Sequence, residues 1–414
     1  MGAVQKILIY NRVTSLTREI ALSFQAAGHH VAYSREDPEC LSRVVSYGPR
    51  YDMVIATEPY ANRFRQILQQ NPNIAWDQHF GTLVVIQFHD IAQELSHLIE
   101  MHEACEGFNL GFAYWAYCSA TVHFLKSIGA RFKIIHENLP IVAERELVLP
   151  DAEKKLIPDV SSYVRAKSFT LDNEYTATAG APAVIFFGQC SFPSAYNPLW
   201  VFPEDAPVDY NTVVDALNRS LAASLAAGVP VDRLGFCLDM VASGTLPVES
   251  FAAHAAQCIN IYARLVVEQA RQKFCQMLRS IYGPRFALYG GGWHTVGLES
   301  FPDCWDTDAK YQEALIAIDF GSLFLDTSLY TRSHEVVVGG GRLLQLKQAD
   351  SVDAYGPFHD LVCFSDAPGM LTRIEAALSD PKGFNAAHRE LRAYLTGLGE
   401  YKAIGRRVVD TALS

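Results

Sequence analysis

The residues best suited to chemistry lie in one stretch of the C-terminal half, residues 328–346, which reads SLYTRSHEVVVGGGRLLQL. The pattern predicts a helix whose first turn carries Arg332, Ser333, His334 and Glu335. Helix N-termini present N–H groups and partial positive charge, which suit a pyrophosphate. Arg332 can add bidentate hydrogen bonds to the same oxygens, and Glu335 can accept hydrogen bonds from ribose hydroxyls. These four residues therefore form a candidate nucleoside-diphosphate site.

The same stretch also has a purely structural interpretation. Ser333 would be the N-cap of the helix, Glu335 would complement the helix dipole, and the glycines at 339–341 would end the helix. The residues of this stretch alone do not decide between the two interpretations.

A second glycine-rich element stands upstream, at residues 288–293 (LYGGGW). It predicts a strand that ends in Gly290, Gly291 and Gly292, followed by Trp293. Glycines at the carboxyl end of a parallel strand let a ligand approach the backbone, at the sheet edge where α/β proteins bind ligands. We predict that these four residues line the same pocket; a simple turn is the alternative.

In the N-terminal half, His89 and Asp90 follow a predicted central strand. His89 can act as a general base on the hydroxyl of a substrate that accepts a transferred group, and Asp90 can tune the basicity of the imidazole. This pair is therefore the predicted catalytic group. Asp90 as an N-cap is the alternative. Further histidine candidates lie at 76–79, 136–138 and 29–30, and aromatic stacking surfaces at 192–202 and 113–117.

A metal site is not predicted. Asp306 and Asp308 form a DxD sequence, but they precede a predicted helix and are explained as capping residues. The sequence contains no CxxC pair and no G-x-x-x-x-G-K-[ST], G-x-S-x-G or N-terminal G-x-G-x-x-G motif. The sequence therefore does not support any of four classes of protein: zinc-binding proteins, P-loop proteins, α/β-hydrolases and NAD-binding proteins.

These residues need a framework of alternating strands and helices. Short apolar strands alternate with amphipathic helices from the start of the chain to about residue 136, and again from 183 onward. Continuous apolar strands separated by helices are typical of parallel sheets. We predict two Rossmann-like α/β domains facing a cleft. In the second, a helix at 309–317 precedes a strand at 318–325, and the site helix spans 333–340.

The domain boundaries follow from breaks in this alternation. Residues 1–178 form the predicted first domain, on the acceptor side, and residues 179–395 the second, which binds the nucleotide. The second domain contains a predicted insertion at about 193–248, rich in proline and aromatic residues at its start. Residues 396–414 are predicted to pack back towards the first domain as a helix.

Composition restricts the class of protein. The 414 residues are 50% hydrophobic and 19% charged, as in an ordinary globular chain of two domains. A net charge of −11 argues against nucleic acid as the main partner. Nine scattered cysteines, no signal-peptide pattern and no long apolar run predict a cytoplasmic protein without a membrane span.

Four segments then carry a resemblance to a family. Their order and spacing resemble those of CgeB-like glycosyltransferases. The four segments are LYGGGW, DAKYQEALIAIDFGSLFLD, TRSHEVVVGGGRLLQL and LVCFSDAPGMLTRIEAALSDP. The chain resembles this family over about residues 260–395, which implies the GT-B fold of two Rossmann-like domains. The resemblance implies that Glu335 holds the donor ribose, that Arg332 and the 333–335 amides bind the diphosphate, and that the 290–292 glycines line the donor pocket.

We therefore expect a metal-independent hexosyl- or related transferase whose co-substrate is a nucleotide-diphosphate sugar and which needs no cofactor. The acceptor, the nucleotide base, the sugar and the oligomeric state stay open. So does the stereochemical outcome, because Thr327 stands where many retaining GT-B enzymes carry a second glutamate. The alternatives are a nucleotide-sugar epimerase of the same fold and a catalytically inactive sugar- or glycan-binding protein.

Overall fold

The computed structural model describes residues 3–11, 15–34, 45–46, 48–87, 91–140, 181–188, 190, 269–302, 307–321, 331–397 and 400–414. It also describes the isolated positions 41, 215–216, 219, 239 and 242–243. The chain divides into two compact units, residues 1–168 with 396–414 and residues 169–395. The predicted domain boundary at 178/179 and nearly all of the predicted insertion at 193–248 lie outside the described residues.

The first unit is built on a parallel sheet of six described strands in the order β2-β1-β3-β4-β5-β6. The strands are β1 (Lys6–Tyr10), β2 (His30–Ser34), β3 (Tyr51–Thr57), β4 (Phe80–Ile86), β5 (Gly111–Ala116) and β6 (Lys133–His136). The helices between them are α1 (Ser15–Ala26), α2 (Glu58–Gln70), α3 (Ile91–Gly107) and α4 (Ser119–Ser127).

Burial explains why these strands have continuous apolar sequences. Ile7, Leu8 and Ile9 of β1 are at most 1% exposed, as are Val84 and Val85 of β4. A strand in the middle of a parallel sheet has neighbours on both sides and helices packed against it, so no position along it faces water. This is the pattern from which the sheet was predicted.

The first unit is completed by a helix from the other end of the sequence, α12 (Glu400–Leu413). Gly405 of α12 packs on the backbone of α1, where a Cβ at this position would lie 2.6 Å from the carbonyl oxygen of Ser23. Arg407 donates two hydrogen bonds, from Nε and Nη2, to the two carboxylate oxygens of Glu137, at 2.7 and 2.8 Å. Close backbone contact and a bidentate ion pair thus hold α12 in this unit.

The second unit has a parallel sheet of five described strands in the order β11-β10-β9-β7-β8. The strands are β7 (Val184–Phe187), β8 (Phe286–Tyr289), β9 (Ile316–Asp319), β10 (Leu343–Leu346) and β11 (Cys363–Phe364). The helices are α5 (Gln269–Tyr282), α6 (Thr307–Glu313), α7 (Thr331–Val338), α8 (Ser351–Tyr355), α9 (His359–Val362), α10 (Ala367–Ser379) and α11 (Pro381–Gly397). The two Rossmann-like α/β units predicted from the sequence are confirmed.

The strand that precedes the site begins and ends earlier than predicted. A helix was predicted over 309–317 and a strand over 318–325, but α6 ends at Glu313 and β9 spans Ile316–Asp319. The apolar run ALIAI at 314–318 fits either a helix end or a buried strand, because its residues are apolar on every face. Pairing with β7 and β10 makes it a strand and puts Asp319 at its end.

A buried arginine fixes the turn between α7 and β10. Arg342 is 2% exposed, and its Nη2 donates to the backbone carbonyls of Gln312 (2.8 Å) and Ala314 at the end of α6. Its Nε donates to the carbonyl of Leu315 at 3.0 Å, and its Nη1 to Oδ1 of Asn385 at 3.1 Å. A cation at a helix C-terminus is favoured by the dipole, and this one also satisfies buried carbonyl oxygens.

Candidate functional site

The connection order of the second sheet identifies the edge where a ligand is expected. The chain runs from β7 to β8 on one side and then returns to the other side of β7 to add β9, β10 and β11. In doubly wound sheets, ligands bind outside the carboxyl ends of the strands at the point where the order reverses. Here that point lies between the carboxyl ends of β7 and β9.

The carboxyl end of β9 carries a fully buried carboxylate, Asp319, which is 0% exposed. Its Oδ2 accepts a hydrogen bond from Oγ of Ser333 at 2.5 Å, and its Oδ1 accepts from the N–H of Gly321 at 3.1 Å. Nη1 of Arg332 lies 3.5 Å from Oδ1. A buried charge of this kind is tolerated because a cation and two hydrogen-bond donors compensate it.

Two arginines lie against one aromatic ring beside this carboxylate. The guanidinium carbons of Arg271 and Arg332 are each 5.7 Å from the centre of the Phe186 ring, within range of a cation–π interaction. Arg271 is 5% exposed, and its Nη2 donates to the carbonyl oxygen of Gly321 at 3.0 Å. The cluster therefore joins β7, the end of β9, α5 and the first turn of α7.

The structure brings the four predicted residues of α7 to this edge, with different exposures. Ser333 is fully buried and Arg332 has a side chain 17% exposed, while His334 and Glu335 are half-buried. The helix begins at Thr331, so Ser333 lies inside its first turn and is not the N-cap. Its hydroxyl donates to Asp319, which shows that at least this side chain serves the internal network.

Burial also affects the charge of the histidine in this turn. Desolvation lowers the pKa of His334 to about 4, although the negative charge of Asp319 opposes the shift. At neutral pH the imidazole is therefore uncharged and acts as a hydrogen-bonding group. The positive charge beside Asp319 comes from Arg332 and Arg271.

A second polar contact lies on the neighbouring strand. Gln345 of β10 stands opposite Asp319 in the sheet register, and both are 0% exposed. The hydroxyl of Tyr355, in α8, donates to Oε1 of Gln345 at 2.6 Å. Burial raises the pKa of Tyr355 well above its ordinary value, so it remains a neutral donor.

The glycine turn after β8 packs onto the end of β7. The N–H of Gly290 donates to the carbonyl of Phe301, and the carbonyl of Gly291 accepts from the N–H of Cys190, both at 2.9 Å. Gly292 has φ +86°, and a Cβ there would lie 1.9 Å from the carbonyl oxygen of Cys190. At Gly291, in contrast, a side chain would meet open space.

Trp293 was predicted to line the pocket, but the structure places it in the core. It is 0% exposed, its Nε1 donates to the carbonyl oxygen of Gly188 at 2.7 Å, and its ring packs edge-on against Phe186. Since no surface of the indole faces outward, Trp293 does not line a pocket in this structure. Its function in this structure is to support Phe186, on which both arginines lie.

The predicted catalytic pair, His89 and Asp90, lies outside the described residues. The strand before it ends at Ile86, and the next residue, Gln87, is buried and donates from Nε2 to Oγ1 of Thr121 at 2.8 Å. One of the lesser candidates is explained by packing. The aromatic residues at 113–117 are buried in and after β5.

The described part of the chain has neither a metal-binding cluster nor a helix suited to span a membrane. No group of three or more His, Cys, Asp or Glu residues there is arranged to hold a metal ion, and Asp306 lies outside it. None of the described helices has both the length and the apolar character that crossing a membrane requires.

Sequence and structure comparisons give little further information. No protein-family model matches the chain, and no curated protein matches its sequence. Among solved structures, the crystal structure of HepE from Anabaena in complex with UDP and glucose is similar to this chain with a TM-score of 0.43. The two are 10% identical, and the alignment covers 98% of this chain and 99% of HepE. A likeness at this level does not indicate a ligand or an activity.

Proposed function

We propose that the chain is a metal-independent glycosyltransferase that takes a sugar from a nucleotide-diphosphate donor. The observation that carries this proposal is the position of α7, whose first turn brings Arg332 to the carboxyl end of β9, at the switch point of the second sheet. This is the edge at which doubly wound sheets bind nucleotides.

The proposal assigns a function to two side chains of α7. Arg332 and Glu335 are separated by three positions, so they lie on one side of the helix. Arg332, with the N–H groups of the first turn, would bind the diphosphate, and Glu335 would accept hydrogen bonds from the ribose hydroxyls. A cationic side chain and a helix end can stabilise the leaving diphosphate, which is the reason for proposing a reaction without a metal ion.

The acceptor side of the reaction is a prediction from the sequence alone. His89 would remove a proton from the acceptor hydroxyl as the new glycosidic bond forms, with Asp90 as its partner. No described contact supports this assignment. Replacing His89 by Gln should abolish transfer and leave nucleotide binding unchanged.

The donor site is tested by the thermal stability of the protein with UDP-, GDP-, CMP- and dTDP-sugars and the free nucleotides. A ligand at one hundred times its Kd should raise the Tm by about 5 °C. Glu335→Ala should abolish the increase, whereas Glu390→Ala, at an exposed glutamate of α11, should preserve it. If no nucleotide raises the Tm of the wild-type protein, the donor-binding proposal is wrong.

Product analysis with the stabilising nucleotide sugar then separates the proposed reaction from its alternatives. A transferase releases the nucleoside diphosphate and slowly hydrolyses its donor when water replaces the acceptor. An epimerase gives an isomerised nucleotide sugar as sole product. A binding protein leaves the nucleotide sugar unchanged over many hours.

A further inference from the structure

We infer that Asp319 is a positioning residue that holds Arg332 in place to bind the phosphate groups of a ligand. The inference rests on the phosphate site of the function proposed above and adds to it a residue that does not itself contact the ligand. The sequence analysis did not single out Asp319, because a lone aspartate at the end of an apolar run has no distinctive pattern.

The geometry that supports this inference is a bridge between two chain segments. One oxygen of Asp319 accepts from the N–H of Gly321, directly after β9, and the other accepts from the hydroxyl of Ser333 in α7. The same carboxylate lies 3.5 Å from the guanidinium of Arg332. A single buried side chain therefore fixes the distance between the end of β9 and the first turn of α7.

The arginine is held from a second direction by the ring of Phe186. A free arginine side chain has many rotamers, and each immobilised side chain costs binding free energy unless it is ordered in advance. Asp319 on one side and the Phe186 ring on the other restrict the guanidinium before a ligand arrives. Arg271, also against Phe186, holds the carbonyl of Gly321 and so restrains the segment that Asp319 contacts.

Asp319 also has an effect of opposite sign, because its negative charge repels a phosphate. The two effects can be separated, since positioning requires Arg332 while repulsion does not. If Asp319 acts through Arg332, its removal weakens anion binding only when Arg332 is present. In a variant without Arg332, the loss of the carboxylate should leave anion binding unchanged or improve it.

The experiment is a double-mutant cycle with Asp319→Asn, Arg332→Gln and the combination, measured by isothermal calorimetry with UDP and with inorganic pyrophosphate. Asparagine keeps the shape and the acceptor for Gly321 but lacks the charge that orients Arg332. We expect Asp319→Asn to weaken binding about tenfold in the wild-type background, and by less than about twofold in Arg332→Gln. Asp353→Asn, at an exposed position of α8, is the matched control and should bind like the wild type.

Equal weakening in both backgrounds would show a general structural role and overturn the inference, as would unchanged or tighter binding by Asp319→Asn alone. If Asp319→Asn does not fold, Ser333→Ala replaces it, since this change frees one carboxylate oxygen and should give a smaller loss that also depends on Arg332. If pyrophosphate shows the coupling while nucleotides do not bind, the proposed function fails and the inference stands. If neither ligand binds the wild-type protein, both are wrong.

Discussion

Single residues at the carboxyl edge of the second sheet maintain the internal structure beside the residues proposed to bind the donor. Ser333 satisfies a buried carboxylate, and Gly292 allows the turn after β8 to approach the end of β7. Substituting either residue can therefore change ligand binding even if the residue does not contact the ligand. For substitutions at this edge, effects on ligand binding therefore have to be measured separately from effects on the free energy of unfolding.

Two glycines in the turn after β8 allow such a separation. Gly292→Ala puts a side chain at a positive φ and against the Cys190 carbonyl, so the free energy of unfolding should fall by about 2–4 kcal/mol. Gly291→Ala meets open space and should change stability by less than about 0.5 kcal/mol. Chemical denaturation of both variants measures the difference, and equal losses would contradict the described turn.

His334 should make stability depend on pH. Its folded pKa is about 4, below the ordinary value of 6.5, so the unfolded chain binds the proton first as the pH falls. The free energy of unfolding should therefore decrease between pH 6.5 and 4 and be unaffected by His334 above that range. Replacing His334 by Gln should remove roughly 1–2 kcal/mol of this decrease.

The control for this measurement is the same histidine-to-glutamine change at an exposed position, His136→Gln in β6. Part of the decrease will remain in His334→Gln, because burial also lowers the pKa of His388 to about 4. An unaltered curve for His334→Gln would show that this imidazole is accessible to solvent.

At the scale of elements, the packing of α12 on α1 reverses the usual effect of a glycine in a helix. An exposed Gly→Ala change in a helix stabilises it by about 1 kcal/mol. At Gly405 the added methyl group would meet the backbone of Ser23, so Gly405→Ala should instead lower the free energy of unfolding by about 1–2 kcal/mol. Gly107→Ala, at the end of α3 with open space around it, should be neutral or stabilising.

Most elements could be predicted from the sequence because their patterns are local. Apolar strands and amphipathic helices were assigned correctly through most of the described chain, and Arg332–Glu335 could be selected because they stand in one helix turn. Asp319, Arg271 and Phe186 could not be grouped, since they come from two strands and a helix that are far apart in the sequence and meet only in the folded domain. A residue at the carboxyl end of a strand would have been a candidate for the site. Because the strand was predicted at 318–325, Asp319 stood near its start instead of at its end.

At the scale of the whole molecule, the first unit combines residues 1–168 with residues 396–414. Deleting residues 400–414 should therefore destabilise the first unit and leave the second unchanged, although α11 of the second unit directly precedes the deletion. Hydrogen exchange should become faster in α1 and β6, which contact α12, and stay unchanged in β9 and β10. Faster exchange confined to the second unit would contradict the assignment of α12.

The discontinuous first unit also has a consequence for synthesis on the ribosome. Domains generally fold from the N-terminus as the chain emerges, but the face of α1 around Ser23 stays uncovered until residues 400–413 have been made. The whole second unit, residues 169–395, emerges during that interval. The nascent first unit therefore leaves this face of α1 uncovered for the time needed to translate more than half of the chain.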